Sequence, residues 1–382
     1  MIVLPSAPEG GDSIPPSTLL AGVALLRRIV LAAGRAGFGR VLVGCPWSED
    51  TRLLAGTPAL PLIPNGWIPP PIPQRLVVLS MNVVPQPGWL QRLRELPAEP
   101  ERLYVDGTAA AVIETKNPGR VVIAASRSRS AAELVAALSA TARATDLSVD
   151  VGGRFELGAL RDVPAAEAWL LRGLVKSSEG FMSRYFERRL SLALTRRLCV
   201  TRITPNAMTL VSVAVGLLAA PFFLSSAPAW QLTGALLFLA HSILDGCDGE
   251  LARLKFLESR VGAMLDVGGD NLVHVAVFSA MAVGWSLDAR AGWPLLLGAV
   301  TVVSTAWAAV VVYRRGMRAS TEDNARSPAS RLADALAHRD FIYLIVLLAA
   351  LGKARWFLLL TAVGTPTFLL LLAWVGRSRR TP

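Results

Sequence analysis

The stretch LDGCDGELARLKFLESRVGAMLDVGGDN, residues 244–271, lies between two almost entirely apolar runs, residues 232–243 and 272–284. It contains four aspartates: Asp245, Asp248, Asp266 and Asp270. Ionisable residues beside or within a membrane span are costly to place there and usually mark a functional site. The stretch therefore predicts a functional acidic site at the edge of a membrane domain.

The second half of the chain has the composition of such a domain. The sequence has 382 residues, of which 53% are hydrophobic, and the long apolar stretches are concentrated after residue 207. A helix that spans a bilayer needs about 20 mostly apolar residues. The six predicted spans are residues 207–226, 230–244, 262–287, 293–313, 341–351 and 356–375.

The basic residues predict how these spans are oriented. Arginine and lysine cluster before the first span, between spans two and three, between spans four and five, and after span six. Cytoplasmic loops carry such an excess of positive charge. We therefore expect an inner membrane protein with both termini and the acidic stretch on the cytoplasmic side. The net charge of +11 is explained by basic residues beside anionic lipid, so nucleic acid is not an expected partner.

Helical spacing predicts that the four carboxylates converge. Asp245 and Asp248 share one face of a helix that continues span two, and Asp266 and Asp270 share one face at the start of span three. Such carboxylates repel one another unless a cation neutralises them. Hard oxygen ligands suit Mg²⁺ or Mn²⁺, which also bind substrate phosphates. The residues predict metal-assisted chemistry on a phosphate compound; a solvated acidic loop and the ion pathway of a transporter are the alternatives.

The spacing of the acidic stretch resembles the signature of the CDP-alcohol phosphotransferase family. The string is Asp245-x-x-Asp248-Gly249-x-x-Ala252-Arg253, followed after eight residues by Gly262-x-x-x-Asp266-x-x-x-Asp270. Every fixed position of the signature is present, and the resemblance extends from about residue 176 to the end of the chain. Six spans also fit this family.

The resemblance implies a membrane transferase that moves a substituted phosphate group from a CDP-alcohol to an acceptor hydroxyl and releases CMP. Such enzymes serve phospholipid or inositol-phosphodiester biosynthesis. It implies that Asp270 is the general base, with Mg²⁺ or Mn²⁺ as cofactor. The implied metal ligands are Asp245, Asp248, Asp266 and Asp270. The implied contacts to the CDP moiety are Gly249, Ala252, Arg253 and Asn206. Expected partners are the CDP-alcohol donor, an alcohol or polyol-phosphate acceptor, membrane lipid and a second copy in a homodimer.

Two features before the first span complete this half. Thr204-Pro205-Asn206 resembles the entry to the first span in the family, and Asn206 either approaches the nucleotide or serves only at the helix start. Residues 181–200 predict a basic amphipathic helix in the membrane interface. Its expected apolar side is formed by Phe181, Tyr185, Phe186, Leu190 and Leu194.

The first half predicts an α/β domain. Strands are expected at residues 2–4, 40–44, 75–80 and 121–124, and helices at 19–37, 89–96 and 131–143. Alternating strands and helices predict a mostly parallel sheet. The expected architecture is thus an α/β cytoplasmic domain (residues 1–172), an interfacial helix and linker (173–203), and an all-α six-helix transmembrane domain (204–382).

The layout of residues 1–172 resembles the nucleotidyltransferase-like domain fused to some members of the family, notably relatives of di-myo-inositol-phosphate-phosphate synthase. Two features depart from that pattern. The loop at residues 6–13 has no arginine or lysine, and Asn82 stands where such enzymes carry a metal-binding aspartate. We expect a degenerate domain. An active cytidylyltransferase, which would make the chain bifunctional, and another α/β module are the alternatives.

Two further classes of protein use intramembrane carboxylates. Membrane prenyltransferases also bind Mg²⁺ and a diphosphate, but their two acidic motifs lie far apart. A non-enzymatic transporter is the remaining alternative. Release of CMP from a CDP-alcohol separates the expected enzyme from both.

Overall fold

The structure, a computed structural model, describes residues 1–6, 14–44, 52–63, 66, 69–107, 109–147, 151–175, 186–318 and 341–377. The chain forms two compact units, Met1–Arg172 and Gly173–Pro382. Three predicted features lie wholly or partly outside the described residues. They are the loop at residues 6–13, the start of the amphipathic helix at 181–185, and the loop at 319–340.

The first unit is a mixed α/β domain. Its elements are β1 (Ile2–Leu4), β2 (Leu19–Leu20), β3 (Val23–Ala24), α1 (Leu25–Arg35), β4 (Val41–Val43), β5 (Ala59–Pro61), β6 (Gln74–Ser80), β7 (Val83–Pro85), α2 (Pro87–Glu95), β8 (Arg102–Asp106), β9 (Ala110–Thr115), α3 (Pro118–Arg127), α4 (Ala131–Ser139), β10 (Arg143–Asp146), β11 (Arg154–Glu156) and α5 (Val163–Arg172).

The main sheet of this unit has the strand order β10-β8-β9-β6-β1-β4-β5. The β1–β4, β1–β6, β4–β5 and β8–β10 pairs are parallel. Only β9 runs antiparallel to both of its neighbours within this sheet. Ile2, Val78 and Ala111 are buried in the core on one face of the sheet, which the helix residue Leu134 helps to cover. The expected α/β class with a mostly parallel sheet is confirmed for the described residues.

Two of the predicted elements are wrong. Residues 121–124 belong to helix α3, because Pro118 occupies a first-turn position, where proline is well tolerated. The β-branched pair Val121 and Val122 lies on its buried face. Residues 19–24 form a hairpin rather than the start of a helix. Ala21 and Gly22 adopt positive φ there, as a two-residue hairpin turn requires.

The second unit is helical throughout its described residues. It contains α6 (Arg188–Leu198), α7 (Pro205–Ala219) with a 3₁₀ turn at Ala220–Leu224, α8 (Pro228–Lys255), α9 (Arg260–Ala289), α10 (Trp293–Arg318), α11 (Phe341–Ala350) and α12 (Ala354–Arg377). The six helices α7 to α12 lie where the six spans are predicted.

Only some of these helices meet a length-and-hydropathy criterion for a membrane span. Pro205–Leu224 and Arg260–Ala289 are long and apolar enough to cross a bilayer, while Trp293–Ala308 and Phe341–Ala350 are shorter apolar segments. The all-α character of this unit is therefore confirmed in the described residues. The number of spans stays a prediction.

Small residues allow α7, α8 and α9 to pack closely. A Cβ atom on Gly216 of α7 would lie 2.5 Å from a methyl group of Val273 on α9 and 2.9 Å from the ring of His241 on α8. A Cβ atom on Gly269 of α9 would lie 2.4 Å from a methyl group of Val213. Because interiors are close-packed, these glycines set the separation of the three helices that carry the acidic stretch.

Candidate active site

The acidic stretch forms the end of α8 and the beginning of α9. Helix α8 ends at Lys255, followed by Phe256 in the left-handed conformation. Helix α9 then begins after Ser259, whose hydroxyl accepts a hydrogen bond from the Gly262 amide. The reversal between the two helices is therefore short, and the aspartates lie on both sides of it.

Three of the four aspartates form one carboxylate cluster. One carboxylate oxygen from each of Asp245, Asp248 and Asp266 lies within 4.8 Å of the other two. Asp245 and Asp248 are only 5% and 4% exposed. Burial of this much negative charge is unfavourable without a compensating cation. Opposite oxygens around one octahedral Mg²⁺ lie roughly 4.2 Å apart, so the donor set and its spacing fit one or two divalent ions.

Helix α7 contributes a polar contact to this carboxylate cluster. The buried Thr209 hydroxyl donates a short hydrogen bond to Asp248 Oδ2. A hydrogen bond of this kind fixes the orientation of a metal-binding carboxylate. Thr209 thus extends the cluster to a third helix.

Asp270 lies beside two histidines. Its Oδ1 is 3.4 Å from His241 Nε2 and 3.6 Å from His274 Nδ1. Asp270 follows Asp266 by one helical turn and is not part of the three-carboxylate group. Its expected role as a fourth metal ligand stays a prediction, as does its role as base.

The residues expected to contact the CDP moiety lie at the same ends of these helices. Arg253 folds back over Gly249, because a Cβ atom on Gly249 would be 3.1 Å from Arg253 Nη1. Asn206, in the first turn of α7, reaches Gly262 at the start of α9: a Cβ there would be 3.0 Å from Asn206 Oδ1. Ala252, one turn after Asp248, is half-buried. Larger side chains at Gly249, Ala252 or Gly262 would fill the space between these helix ends.

A buried glutamate connects this region to helix α6. Glu250 is fully buried. Its carboxylate accepts hydrogen bonds from Arg188 Nη1, Ser191 Oγ and Thr195 Oγ1, each of 2.7 Å. Leu190, on the opposite side of α6, and Phe186, just before the helix, are exposed; both belong to the apolar side expected to face lipid. The cluster formed by Glu250, Arg188, Ser191 and Thr195, hereafter the Glu250 cluster, therefore attaches α6 to α8 immediately beside Gly249.

Sequence reasoning missed four polar residues around this site: Thr209, His241, Glu250 and His274. Two of them have a sequence signal. His241 precedes Asp245 by four residues and His274 follows Asp270 by four, so each shares a helix face with an aspartate of the signature. Thr209 and Glu250 become apparent only from the packing of α7 and α6 against α8.

The first unit places Asn82 directly after β6, as expected. Its Oδ1 accepts a hydrogen bond from Ser80 Oγ at 2.6 Å, and its Nδ2 donates to the Leu157 carbonyl at 3.1 Å. Both ends of the amide are thus used in local structure. Among the described residues, the only group of acidic, histidine or cysteine side chains arranged to hold a metal is the carboxylate cluster of the second unit.

Comparison with known proteins finds a family that is similar to the helical part of the chain. Residues 202–375 match the family described as CDP-alcohol phosphatidyltransferase. This range contains the whole acidic stretch and helices α7 to α11.

Curated relatives agree with this match. The chain is 36% identical over 135 residues to a "Bifunctional IPC transferase and DIPP synthase" of Thermococcus kodakarensis, covering 35% of this chain and 30% of that protein. It is 38% identical over 100 residues to "Inner membrane protein YnjF" of Escherichia coli, covering 24% and 47%. It is 33% identical over 141 residues to "CDP-diacylglycerol--serine O-phosphatidyltransferase" of Mycobacterium bovis, covering 37% and 44%. Each alignment spans less than half of the relative's length.

Proposed function

We propose that the chain is a member of the CDP-alcohol phosphatidyltransferase family, whose model matches residues 202–375, and that it transfers a substituted phosphate group from a CDP-alcohol to an acceptor alcohol with release of CMP. The observation that carries the proposal is the convergence of Asp245, Asp248 and Asp266 within 4.8 Å, in a segment with every fixed residue of the signature. Three buried or half-buried carboxylates at this spacing provide a site for a divalent cation and the diphosphate it binds.

The proposed chemistry is a single displacement at phosphorus. Asp270 takes the proton of the acceptor hydroxyl, whose oxygen then forms a bond to the β-phosphorus of the donor. The bond between that phosphorus and the bridging oxygen breaks, and CMP leaves with the electron pair. The chain contributes by positioning both substrates and by stabilising charge.

We propose Mg²⁺ or Mn²⁺ as the cofactor, held by Asp245, Asp248 and Asp266 with Asp270 adjacent. When bound, the cation would neutralise negative charge on the donor diphosphate. Thr209 fixes the orientation of the Asp248 carboxylate through its hydrogen bond. This support keeps one ligand of the site in place before the substrate binds.

The donor nucleotide is proposed to occupy the space above Gly249, Ala252 and Gly262. Arg253 presents a guanidinium there, a group that pairs well with phosphate oxygens. Asn206 provides an amide at the same position. The donor and the acceptor can be identified by testing a panel of CDP-alcohols against alcohol and polyol-phosphate acceptors.

We propose that the chain is an inner membrane homodimer with its active site on the cytoplasmic side. The relative named "Inner membrane protein YnjF" and two helices of spanning length support the membrane location.

The orientation can be tested with single cysteines at positions 225 and 258, which lie at opposite ends of α8. These are introduced in place of Ser225 and Glu258, in a background without the three native cysteines. A membrane-impermeant reagent should label position 258 from the cytoplasm and position 225 from outside. The reverse pattern refutes the orientation.

Asp270→Asn tests the role of the base. The change keeps the size of the side chain but removes its ability to take a proton, so transfer should fall by at least about 100-fold, the lower range of general-base contributions. Asp288→Asn, an exposed position near the other end of α9, is the matched control and should retain full activity. Near-normal turnover in Asp270→Asn would show that the base lies elsewhere.

The first unit is proposed to be a catalytically inactive companion of the transferase. The amide of Asn82 is engaged by Ser80 and Leu157, and a neutral amide binds a metal more weakly than a carboxylate. The full chain should therefore release no pyrophosphate from CTP with Mg²⁺ and a panel of sugar and polyol phosphates. Release above that of a no-protein control would make the chain bifunctional.

A further inference from the structure

Helix α6 and the residues just after it expose positive charge. Four arginines of this segment, hereafter the α6 arginines, are exposed and pair with no carboxylate among the described residues: Arg189, Arg196, Arg197 and Arg202. Three apolar residues of the same segment, Leu190, Val200 and Ile203, are 44%, 72% and 38% exposed. Positive charge beside exposed apolar side chains is typical of helices that bind anionic membranes.

Helix α6 has two different sides. Ser191 and Thr195, one turn apart, are buried and donate hydrogen bonds to Glu250 of α8. Arg189 and Arg196 are two turns apart and exposed. Residues that are seven positions apart lie on one helix face, so these two arginines share a face that points away from the Glu250 cluster. The helix can therefore contact lipid headgroups and the Glu250 cluster at the same time.

The position of α6 along α8 fits a membrane interface. At the other end of α8, Trp230 is 56% exposed, and Trp356 in the first turn of α12 is 55% exposed. The Ala354 amide of α12 donates to the Gln231 side chain of α8, so both tryptophans lie at one end of the helical unit. Exposed tryptophans of this kind collect at membrane interfaces. From Trp230 to Glu250, α8 rises about 30 Å, which is the thickness of the hydrocarbon core.

Helix α6 needs support from the surfaces that it contacts. It has 11 residues, Arg188–Leu198, and a helix of this length is at best marginally stable alone in water. One supporting surface is α8, through the Glu250 cluster and through Lys255, whose Nζ donates to the Thr201 carbonyl just after α6. The exposed side of α6 is available to a second surface.

We propose that anionic lipid headgroups bind the α6 arginines and that this contact, together with the Glu250 cluster, holds α6 against the transferase site. A membrane-bound α6 stays in the plane where α8 ends, which raises its effective concentration beside Glu250. Transfer then depends on a membrane that contains anionic lipid. The inference rests on the proposed function, in which the end of α8 forms the donor site.

The Glu250 cluster connects the lipid contact to that site. Glu250 directly follows Gly249 and lies two residues after Asp248. If α6 leaves, the fully buried Glu250 carboxylate loses its hydrogen-bond donors, and a buried charge without partners is strongly unfavourable. The last turns of α8 must then rearrange to hydrate it, and these turns carry Asp248 and Gly249.

The two supports of α6 are of similar strength. Each basic residue beside an anionic membrane surface strengthens binding about fivefold. The four α6 arginines together favour the bound helix on the order of several hundred-fold at low salt. Loss of the Glu250 charge weakens three hydrogen bonds and opens α6 on the order of 100-fold. Anionic lipid should therefore offset most of the effect of Glu250→Gln.

Hydrogen exchange of the full-length protein in lipid nanodiscs, measured by mass spectrometry, tests the lipid contact without an activity assay. In phosphatidylcholine, the amides of residues 188–198 should exchange on the order of 100-fold faster in Glu250→Gln than in the parent. Phosphatidylglycerol in the discs should restore most of the protection. It should have no effect when Glu250→Gln is combined with Arg189→Gln, Arg196→Gln, Arg197→Gln and Arg202→Gln. Thr195→Val removes one donor only, and this milder variant should respond to phosphatidylglycerol in the same direction.

A matched control removes the same amount of charge from exposed positions of the first unit. It combines Glu250→Gln with Arg120→Gln, Arg127→Gln, Arg129→Gln and Arg143→Gln, and it should respond to phosphatidylglycerol as Glu250→Gln does. The proposal is overturned by equal exchange of Glu250→Gln in the two lipids or by a control that no longer responds. Protection by soluble glycerol phosphate in phosphatidylcholine discs would overturn it as well, because the site would then bind free phosphate.

Turnover in the same discs tests the link between α6 and the transferase site. The kcat of Glu250→Gln should rise in phosphatidylglycerol together with the protection of α6. Protection without a gain in kcat would overturn the link. Absence of CMP release by the parent in every disc, with the exchange pattern present, refutes the proposed function instead.

Discussion

The Glu250 cluster provides a quantitative prediction about how α6 is attached to the catalytic helices. Glu250→Gln keeps the shape of the side chain and removes its charge. Three hydrogen bonds of 2.7 Å then lose their charged acceptor, because the amide offers one neutral oxygen and an NH₂ group that cannot accept, and Arg188 loses the Glu250 counter-ion. Each bond weakens by about 1 kcal/mol. The total of about 3 kcal/mol is at the lower end of the cost of breaking a buried ion pair.

This loss should appear as local opening of α6. Because each 1.4 kcal/mol changes an equilibrium about tenfold, the detached population of α6 should rise on the order of 100-fold. Arg196 and Arg197 lie near the end of α6 and are trypsin sites. When opening is fast relative to cleavage, the cleavage rate follows the open population.

The assay is limited trypsin digestion of the purified protein in detergent, with the cleavage sites identified by mass spectrometry. Cleavage after Arg196 or Arg197 should accelerate on the order of 100-fold in Glu250→Gln. Glu258→Gln, an exposed position after α8, is the control and should match the parent. A Glu250→Gln rate close to that of the parent would show that the cluster does not hold α6 in place.

Two further predictions concern the support of the carboxylate cluster. Thr209→Val removes the hydrogen bond to Asp248 at nearly constant volume. The Mg²⁺ concentration that gives half-maximal turnover should therefore rise by about 10- to 100-fold. Thr233 is an exposed threonine of α8, and Thr233→Val should leave this concentration unchanged. Gly269→Ala places a methyl group 2.4 Å from a side chain of α7 and should cost about 1–3 kcal/mol, seen as a lower Tm. Gly268→Ala meets no atom within 4 Å and should be neutral or stabilising, so equal Tm values for the two variants would contradict the packing described.

The acidic stretch is the part of the site that is most readily predicted from the sequence. Helix periodicity alone predicts that Asp245 and Asp248 share one face and that Asp266 lies on a facing helix, and the structure brings these three together. The separation of Asp270 from that group was not predictable from spacing. Asp270 lies beside His241 and His274, and its contact with His241 arises from the tertiary packing of α8 and α9.

The first unit shows where local sequence signals conflict. Residues 121–124 contain a β-branched run that favours a strand, yet Pro118 and the buried face of α3 determine a helix. Strands β8 and β9 were missed although Asp106-Gly107 between them is a strong hairpin signal, with Gly107 at a φ of +53°. The pairing of β9 with β6 is a long-range contact, which no local pattern specifies.

The most direct test of the proposed function is CMP release by the purified full-length protein. The protein is mixed with pairs drawn from a panel of CDP-alcohols and alcohol or polyol-phosphate acceptors, with and without Mg²⁺, and products are identified by mass spectrometry. We predict that at least one pair gives CMP together with a new phosphodiester, that both require Mg²⁺, and that both are lost in Asp248→Asn. CMP release that is unchanged in Asp248→Asn, or no release from any pair, would contradict the assignment of the carboxylate cluster as the catalytic centre.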